Sequence, residues 1–292
     1  MKAGRSMFRV PSSKLGSGTL NLEPKKVSDV NKRRNLIRSM LGAIVSVGLA
    51  CLIWEAFARS GLFAPALAPS VVSIGSALGR MILSGAMFWH TFYTLYRVLF
   101  GFVLASVVGV FIGILMGRFP RVERFFLPLV SVLMPIPSLA WVPVFILWFG
   151  LGNAATIALV FYAATFPVIY NTWSGVRSVN RLWIRSAEAM GADEKALFQK
   201  VVLPGSLAFV ITGLRQAFAR AWIAVVGGEM IAATNWGLGW VIFDSKEFLN
   251  TDVMMASLAV IGIIGFAFER LIFYTIEQRT VARWGMVRAV KG

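Results

Sequence analysis

Cysteine and histidine are almost missing from this 292-residue chain, where Cys51 and His90 stand alone. One thiol makes no internal disulfide, and one thiol with one imidazole makes no His/Cys metal centre. Acidic residues are also scarce, 13 against 29 Lys and Arg. No paired carboxylates, histidine cluster or nucleophile–base set falls within the apolar segments, which argues against an enzyme embedded in the membrane. The phosphate-cradling G-x4-G-K-[ST] run is absent too, so the chain carries no P-loop of its own.

What is present is apolar. Hydrophobic residues make up 58% of the chain and charged residues only 14%, with a mean hydropathy of +0.74. Long apolar runs at this density predict transmembrane helices. The net charge of +16 could suggest a nucleic-acid partner, but its distribution argues otherwise. Ten of the 29 basic residues precede Ser39, and most others sit in short gaps between apolar runs. With both termini placed inside, inner segments carry 22 basic residues. Outer segments carry three: Arg59, Arg80 and Lys246. That bias predicts an all-α membrane protein with six transmembrane helices and both termini cytoplasmic.

Taken in order, residues 1–35 read as a flexible basic cytoplasmic arm. Residues 36–58 form the first predicted transmembrane helix. The segment 59–90 is broken by Gly61, Pro65 and Pro69, and Ser70 caps a short interfacial helix running to about Leu83. A permease-like core of five further spans and one long polar loop covers 91–275, and 276–292 is a cytoplasmic tail. Within the second span (91–117), Gly101, Ala105, Gly109, Gly113 and Gly117 recur every four residues and predict close helix packing. The third span (126–148) holds Pro128, Pro135, Pro137 and Pro143. Such a helix kinks or unwinds, so Met134, Pro135 and Pro137 are candidates for a translocation path or for a plain bend in a crowded bundle. The fourth span (154–176) contains Pro167 and Asn171, the fifth spans 206–233, residues 234–252 form an outer loop, and the sixth span covers 253–275.

The loop at 177–204 breaks the character of the chain. It carries Arg177, Arg181, Arg185, Glu188, Asp193, Glu194, Lys195 and Lys200, is free of Pro until Pro204, and is rich in helix formers. Gly191, nine residues, then Val201-Val202-Leu203-Pro204 resembles the EAA loop of ATP-binding-cassette (ABC) importer permeases, EAA-x3-G-x9-I-x-L-P. The resemblance implies a type I importer-permease (MetI-like) bundle whose loop docks on a cytoplasmic ATPase. Its coupling residues would be Arg185, Ala187, Glu188, Gly191, Ala192, Val201, Leu203 and Pro204. The family's leading Glu is replaced here by Arg185, and Glu188 lies one helical turn along.

Charged residues inside spans are costly and are functional candidates by default. Arg97 and Arg220 are read as substrate-pathway candidates together with Asn171, and Arg215 and Glu229 as structural ion-pair candidates. Gly213-Leu214-Arg215, Ala221-Trp222, Glu229-Met230, Gly237-Leu238-Gly239, Leu67-Ala68-Pro69-Ser70 and Gly101-Phe102 are similar to the taurine, aliphatic-sulfonate and nitrate branch, whose members also include bicarbonate permeases. The resemblance implies a homodimer, two ATPase subunits holding ATP and Mg, an external substrate-binding protein and a bacterial inner-membrane location. Its substrate would be a small oxyanion, and this chain would hold no cofactor or metal. The rival reading is an ion-coupled secondary carrier acting without an ATPase, which leaves the polar loop without a purpose.

Overall fold

The structure is a computed structural model, and it describes residues 42, 45–64, 66–273, 275 and 276. The basic arm, the start of the first predicted span and the C-terminal tail lie outside the described residues. The chain divides into two compact units at Ala56/Phe57. Helix α1 covers 45–59, and its described residues are mostly exposed apolar side chains.

The second unit is built around three long helices, α3 (Ala86–Arg118), α6 (Asn153–Arg177) and α9 (Leu203–Ala232). Before them, α2 (Val71–Leu83) starts where the Ser70 hydroxyl accepts from the Ser73 N–H at 3.1 Å, as its position predicts. A Cβ built on Gly101 would lie 2.7 Å from Val160 Cγ1, on Gly109 2.7 Å from Val168 Cβ, and on Gly113 2.6 Å from Thr172 Cβ. Each four-residue step along α3 meets a four-residue step along α6, rising together, so the two helices run in the same direction with their backbones in close approach. Gly175 faces Phe209, Gly213 faces Asn171, and Gly228 faces Leu159. Here one number rises as the other falls, so α9 runs antiparallel to α6. The core between the three holds Val98, Ala105, Val160, Ala164, Val168, Ala217, Phe218, Ala221 and Val225.

Because α3 and α6 are parallel, the chain between them returns from one end of the bundle to the other. It does so through α4 (Pro120–Leu133), a 3₁₀ turn at Ser138–Trp141 and α5 (Val142–Phe149), with a 93° bend at the break. The expected single span at 126–148 is therefore two helical pieces. Pro135 and Pro137 withhold their N–H groups at the break, and Ile136 closes a turn onto the Leu133 carbonyl at 3.2 Å.

One expectation is overturned. Residues 234–252, read as an outer loop, contain α10 (Leu238–Glu247). Leu238, Gly239, Val241, Ile242 and Ser245 are buried while Lys246 and Glu247 stay exposed. The segment's polar composition hid a one-faced helix, because three of its charges fall in its last four residues. The chain ends its described part in α11 (Thr251–Ala267), followed by a widened π turn at Phe268–Phe273. Among the described residues, four helices are long and apolar enough to cross a membrane, or five with the bent pair counted as one span.

Candidate functional site

Three places in the second unit gather the residues singled out by the sequence. The first is the polar loop, where α7 (Arg181–Ala189) and the short α8 (Glu194–Leu197) form a helical hairpin ahead of α9. The Asn180 carboxamide oxygen accepts from the Leu182 N–H at 2.9 Å and the Asp193 carboxylate from the Ala196 N–H at 2.8 Å, so each helix has its own N-cap. Gly191 ends α7 with φ +80°, a left-handed conformation that favours glycine. The Ala192 N–H closes back onto the Ala187 carbonyl at 3.0 Å. A widened π turn at Phe198–Val202 leads into Pro204, which lies in the first turn of α9.

The hairpin is seated by its apolar side. Ala187 and Val202 are buried, and Ile184, Phe198 and Val201 pack against a small cluster with Val176 and Val179. Arg118, at the end of α3, reaches Glu194 at 3.1 Å and covers the Phe198 ring, while Arg177 pairs with Glu123 at 2.5 Å. Of these surface pairs, the first touches the hairpin and orients it more than it stabilises it, and the second ties the end of α6 to α4. Its other face is open. Leu182, Trp183 and Met190 are exposed, the last at 81%, and so is Leu203 at the start of α9. Arg185 and Glu188 are exposed without a side-chain partner among the described residues.

The second place is a buried polar cluster where α3, α6, α9 and α10 converge. Arg97 donates from Nη1 to Glu229 Oε1 at 2.7 Å and to the Trp236 carbonyl at 2.6 Å, and from Nε to Asn153 Oδ1 at 2.8 Å. Glu229 Oε2 accepts from the Thr94 hydroxyl and from the Gly239 N–H, each at 2.9 Å. The Thr94 oxygen accepts from Leu238 N–H at 2.8 Å, and His90 Nδ1 accepts from Gly237 N–H at 3.2 Å. Arg97 is 3% exposed and Glu229 0%. Arg97 was expected among the pathway candidates, yet the structure seats it in a buried ion pair, where Glu229 supplies the compensating charge. Asn171, another pathway candidate, is half-buried between α6 and α9, donating to the Pro167 carbonyl at 2.8 Å and to Gln216 at 3.2 Å. Arg215 pairs with Glu269 of the π turn.

The third place lies at the break between α4 and α5. A cavity of about 270 Å³ opens there, lined by Met134, Pro135, Pro137, Tyr162, Arg220 and Ile223 among others. Four of the sequence's pathway candidates, Met134, Pro135, Pro137 and Arg220, meet in it. Tyr162 donates from its hydroxyl to the Leu133 carbonyl at 2.8 Å, satisfying one acceptor freed by the break. Tyr162 and Ile223 went unnoticed in the sequence, where nothing distinguishes them from packing residues. Thr94 was legible in principle, since it precedes Arg97 by one helical turn and shares its face. Among the described residues no group of three or more His, Cys, Asp or Glu is placed to hold a metal ion.

Comparison with known proteins gives a consistent result. Residues 105–281 match the family model described as binding-protein-dependent transport system inner membrane component. The chain is 34% identical over 239 residues to the taurine transport system permease protein TauC of Escherichia coli, covering 80% of this chain and 86% of that one. It is 28% identical over 267 residues to the bicarbonate transport system permease protein CmpB of Synechococcus elongatus, covering 88% and 94%. Among solved structures, an inward-facing MetNI methionine ABC transporter chain superposes with a TM-score of 0.59 at 18% identity, over 69% of this chain and 98% of that one. At that identity the likeness is one of fold.

Proposed function

The chain belongs to the family of binding-protein-dependent transport system inner membrane components, and on that premise we propose that it is the membrane-spanning permease of an ATP-driven importer for a small oxyanion. It is a transport subunit, as its relatives are, and ATP with Mg belongs to a separate ATPase subunit. Two copies of the chain enclose the path, two ATPases dock on the cytoplasmic side, and an external binding protein delivers the substrate. The assembly sits in the bacterial inner membrane with six spans and both termini inside.

The observation that carries this reading is the open face of the α7–α8 hairpin. A chain whose other exposed side chains are largely apolar spends a capped, seated helical element on presenting Leu182, Trp183, Arg185, Glu188 and Met190 outward. Large apolar groups flanked by unpaired charges suit a protein partner better than water or lipid. Supporting the coupling role is the covalent path behind the hairpin. Glu194–Ala232 is one helical run, so force on the loop travels along α9 directly to Arg220 at the cavity and to Glu229 in the buried cluster. The sulfonate and bicarbonate permeases among the relatives support the oxyanion class.

The test is ATP-driven uptake by the complete transporter carrying Glu188→Lys or Gly191→Pro. Reversing an exposed charge at a docking face weakens the contact, and proline at φ +80° breaks the turn that shapes it. Uptake is expected to fall on the order of tenfold or more, with loss of the co-purifying ATPase, while the permease stays inserted. Unchanged uptake in both variants would remove the hairpin from coupling. A permease that purifies alone, with uptake indifferent to ATP, would favour a secondary carrier.

A further inference from the structure

Three arginines lie well inside predicted spans, and the structure treats them differently. Arg97 holds Glu229 and Arg215 holds Glu269. Arg220 has neither a hydrogen-bond nor an ion-pair partner among the described residues, and its side chain is exposed on the cavity at the α4–α5 break. It stands 17 residues after Leu203 and 12 before Ala232 in α9, so about 25 Å and 18 Å of helix separate it from the two ends. Those distances are too long for the side chain to snorkel to an interface. A full charge there, facing hydrocarbon, is strongly disfavoured. Its persistence without a carboxylate therefore requires water or an anion beside it.

The cavity's lining decides between charges. It contains the Tyr162 hydroxyl and Ser138 as polar side chains, no carboxylate, and otherwise prolines and apolar groups. The field of Arg220 is thus uncompensated inside a low-dielectric wall, which concentrates anions and repels cations. The break itself supplies the space, because Pro135 and Pro137 turn the chain by 93° and leave the corner unfilled.

We infer that Arg220 and the cavity at the α4–α5 break form an anion-binding step on the transport path. This inference rests on the permease reading and adds to it the site and the charge selection. The ligand is a small monoanion or dianion such as a sulfonate or bicarbonate, held by the guanidinium on one side and by apolar walls on the others.

The experiment uses the assembled transporter in membrane vesicles. Cys51 is the chain's sole cysteine, so Cys51→Ser gives a background free of this chain's thiols. Ile223→Cys and, separately, Ser138→Cys then place one thiol on the cavity. Each is treated with two membrane-impermeant thiosulfonates of similar size, one ending in a sulfonate and one in a trimethylammonium group. Both cysteines are expected to react, the sulfonate reagent about tenfold faster than the cationic one, with Arg220→Gln abolishing the preference. In uptake assays with taurine and bicarbonate, Arg220→Gln is expected to lower transport of whichever anion the unmodified protein carries by about tenfold or more, and Arg220→Lys to retain part of it. Cysteines that react with neither reagent would show a cavity closed by lipid or by a second copy, and equal rates with both would show no charge selection. Either result overturns the inference. Labelling needs neither ATP nor a known substrate, so it separates this inference from failure of the importer reading, which would instead show as no ATP-driven uptake at all.

Discussion

Glu229→Ala is expected to be among the most damaging single substitutions in the chain. It leaves Arg97, 3% exposed, as an uncompensated buried cation, and breaking such a pair from one side costs about 3–5 kcal/mol. The Gly239 N–H loses its acceptor at the same time, which adds a desolvated donor to the loss, while the Thr94 hydroxyl keeps the His90 carbonyl at 3.1 Å. Because Gly237, Leu238 and Gly239 all donate into this cluster, the start of α10 loosens first. The measurement is the thermal midpoint of the detergent-solubilised protein, alongside protease sensitivity of the 234–247 segment. The charge swap Arg97→Glu with Glu229→Arg is expected not to rescue. The surroundings are polarised: the Gly239 N–H and the Thr94 hydroxyl point at position 229, whereas the Trp236 carbonyl and the Asn153 oxygen point at position 97. A swapped pair would set cation against donors and anion against acceptors. A swap that restored the midpoint would mean that Coulomb attraction alone holds the cluster and that the hydrogen bonds are incidental.

The same cluster shows where sequence reading stops. Arg97 and Glu229 were both visible as charges inside apolar segments, and composition alone puts a high cost on each. Nothing in their spacing places them on facing helices, since 132 residues separate them, and it takes α3 running parallel and α9 antiparallel to α6 to bring the start of α3 to the end of α9. Treated one at a time, each looked like a functional candidate or a pairing residue without a partner. Taken together, they explain each other. The stripe Gly101–Gly117 was legible because a four-residue period is a local property, and it correctly announced a close helix contact, although which helix it meets is a matter of topology. The polar loop was legible for the same reason: its run of charges, its helix formers and its glycine at 191 are local signals, whereas its caps at Asn180 and Asp193 went unread. The 234–252 segment misled because its charges gather at the end of α10 and its buried face is only five residues wide. The cavity at the α4–α5 break was half visible. Its prolines and Arg220 stood out as costly, while Tyr162 and Ile223 have nothing unusual until the bend brings them round.

Gly113→Ala is expected to destabilise by about 1–3 kcal/mol, even though alanine is the better helix former. The new methyl would sit 2.6 Å from Thr172 Cβ and 2.8 Å from the Ile169 carbonyl oxygen, both on α6. Carbonyl oxygens cannot rotate aside as a flexible side chain does, so the helices have to separate, and separation loosens the neighbouring contacts at Gly109 and Gly117 as well. Gly117→Ala meets Val176 in the same way. The control is Gly75→Ala in α2, where a Cβ meets nothing within 4 Å. There only the backbone entropy of glycine changes, and a gain of about 0.5–1 kcal/mol is expected. Opposite shifts of the thermal midpoint from one chemical change would tie the loss at Gly113 to contact rather than to propensity. Equal shifts at Gly113 and Gly75 would mean that α3 and α6 are not in backbone contact. Since α6 leads directly into the α7–α8 hairpin, Gly117→Ala and Gly113→Ala should also weaken ATPase association, whereas Gly75→Ala should leave it unchanged. That difference would separate helix packing that merely holds the bundle together from packing that also sets the hairpin's position.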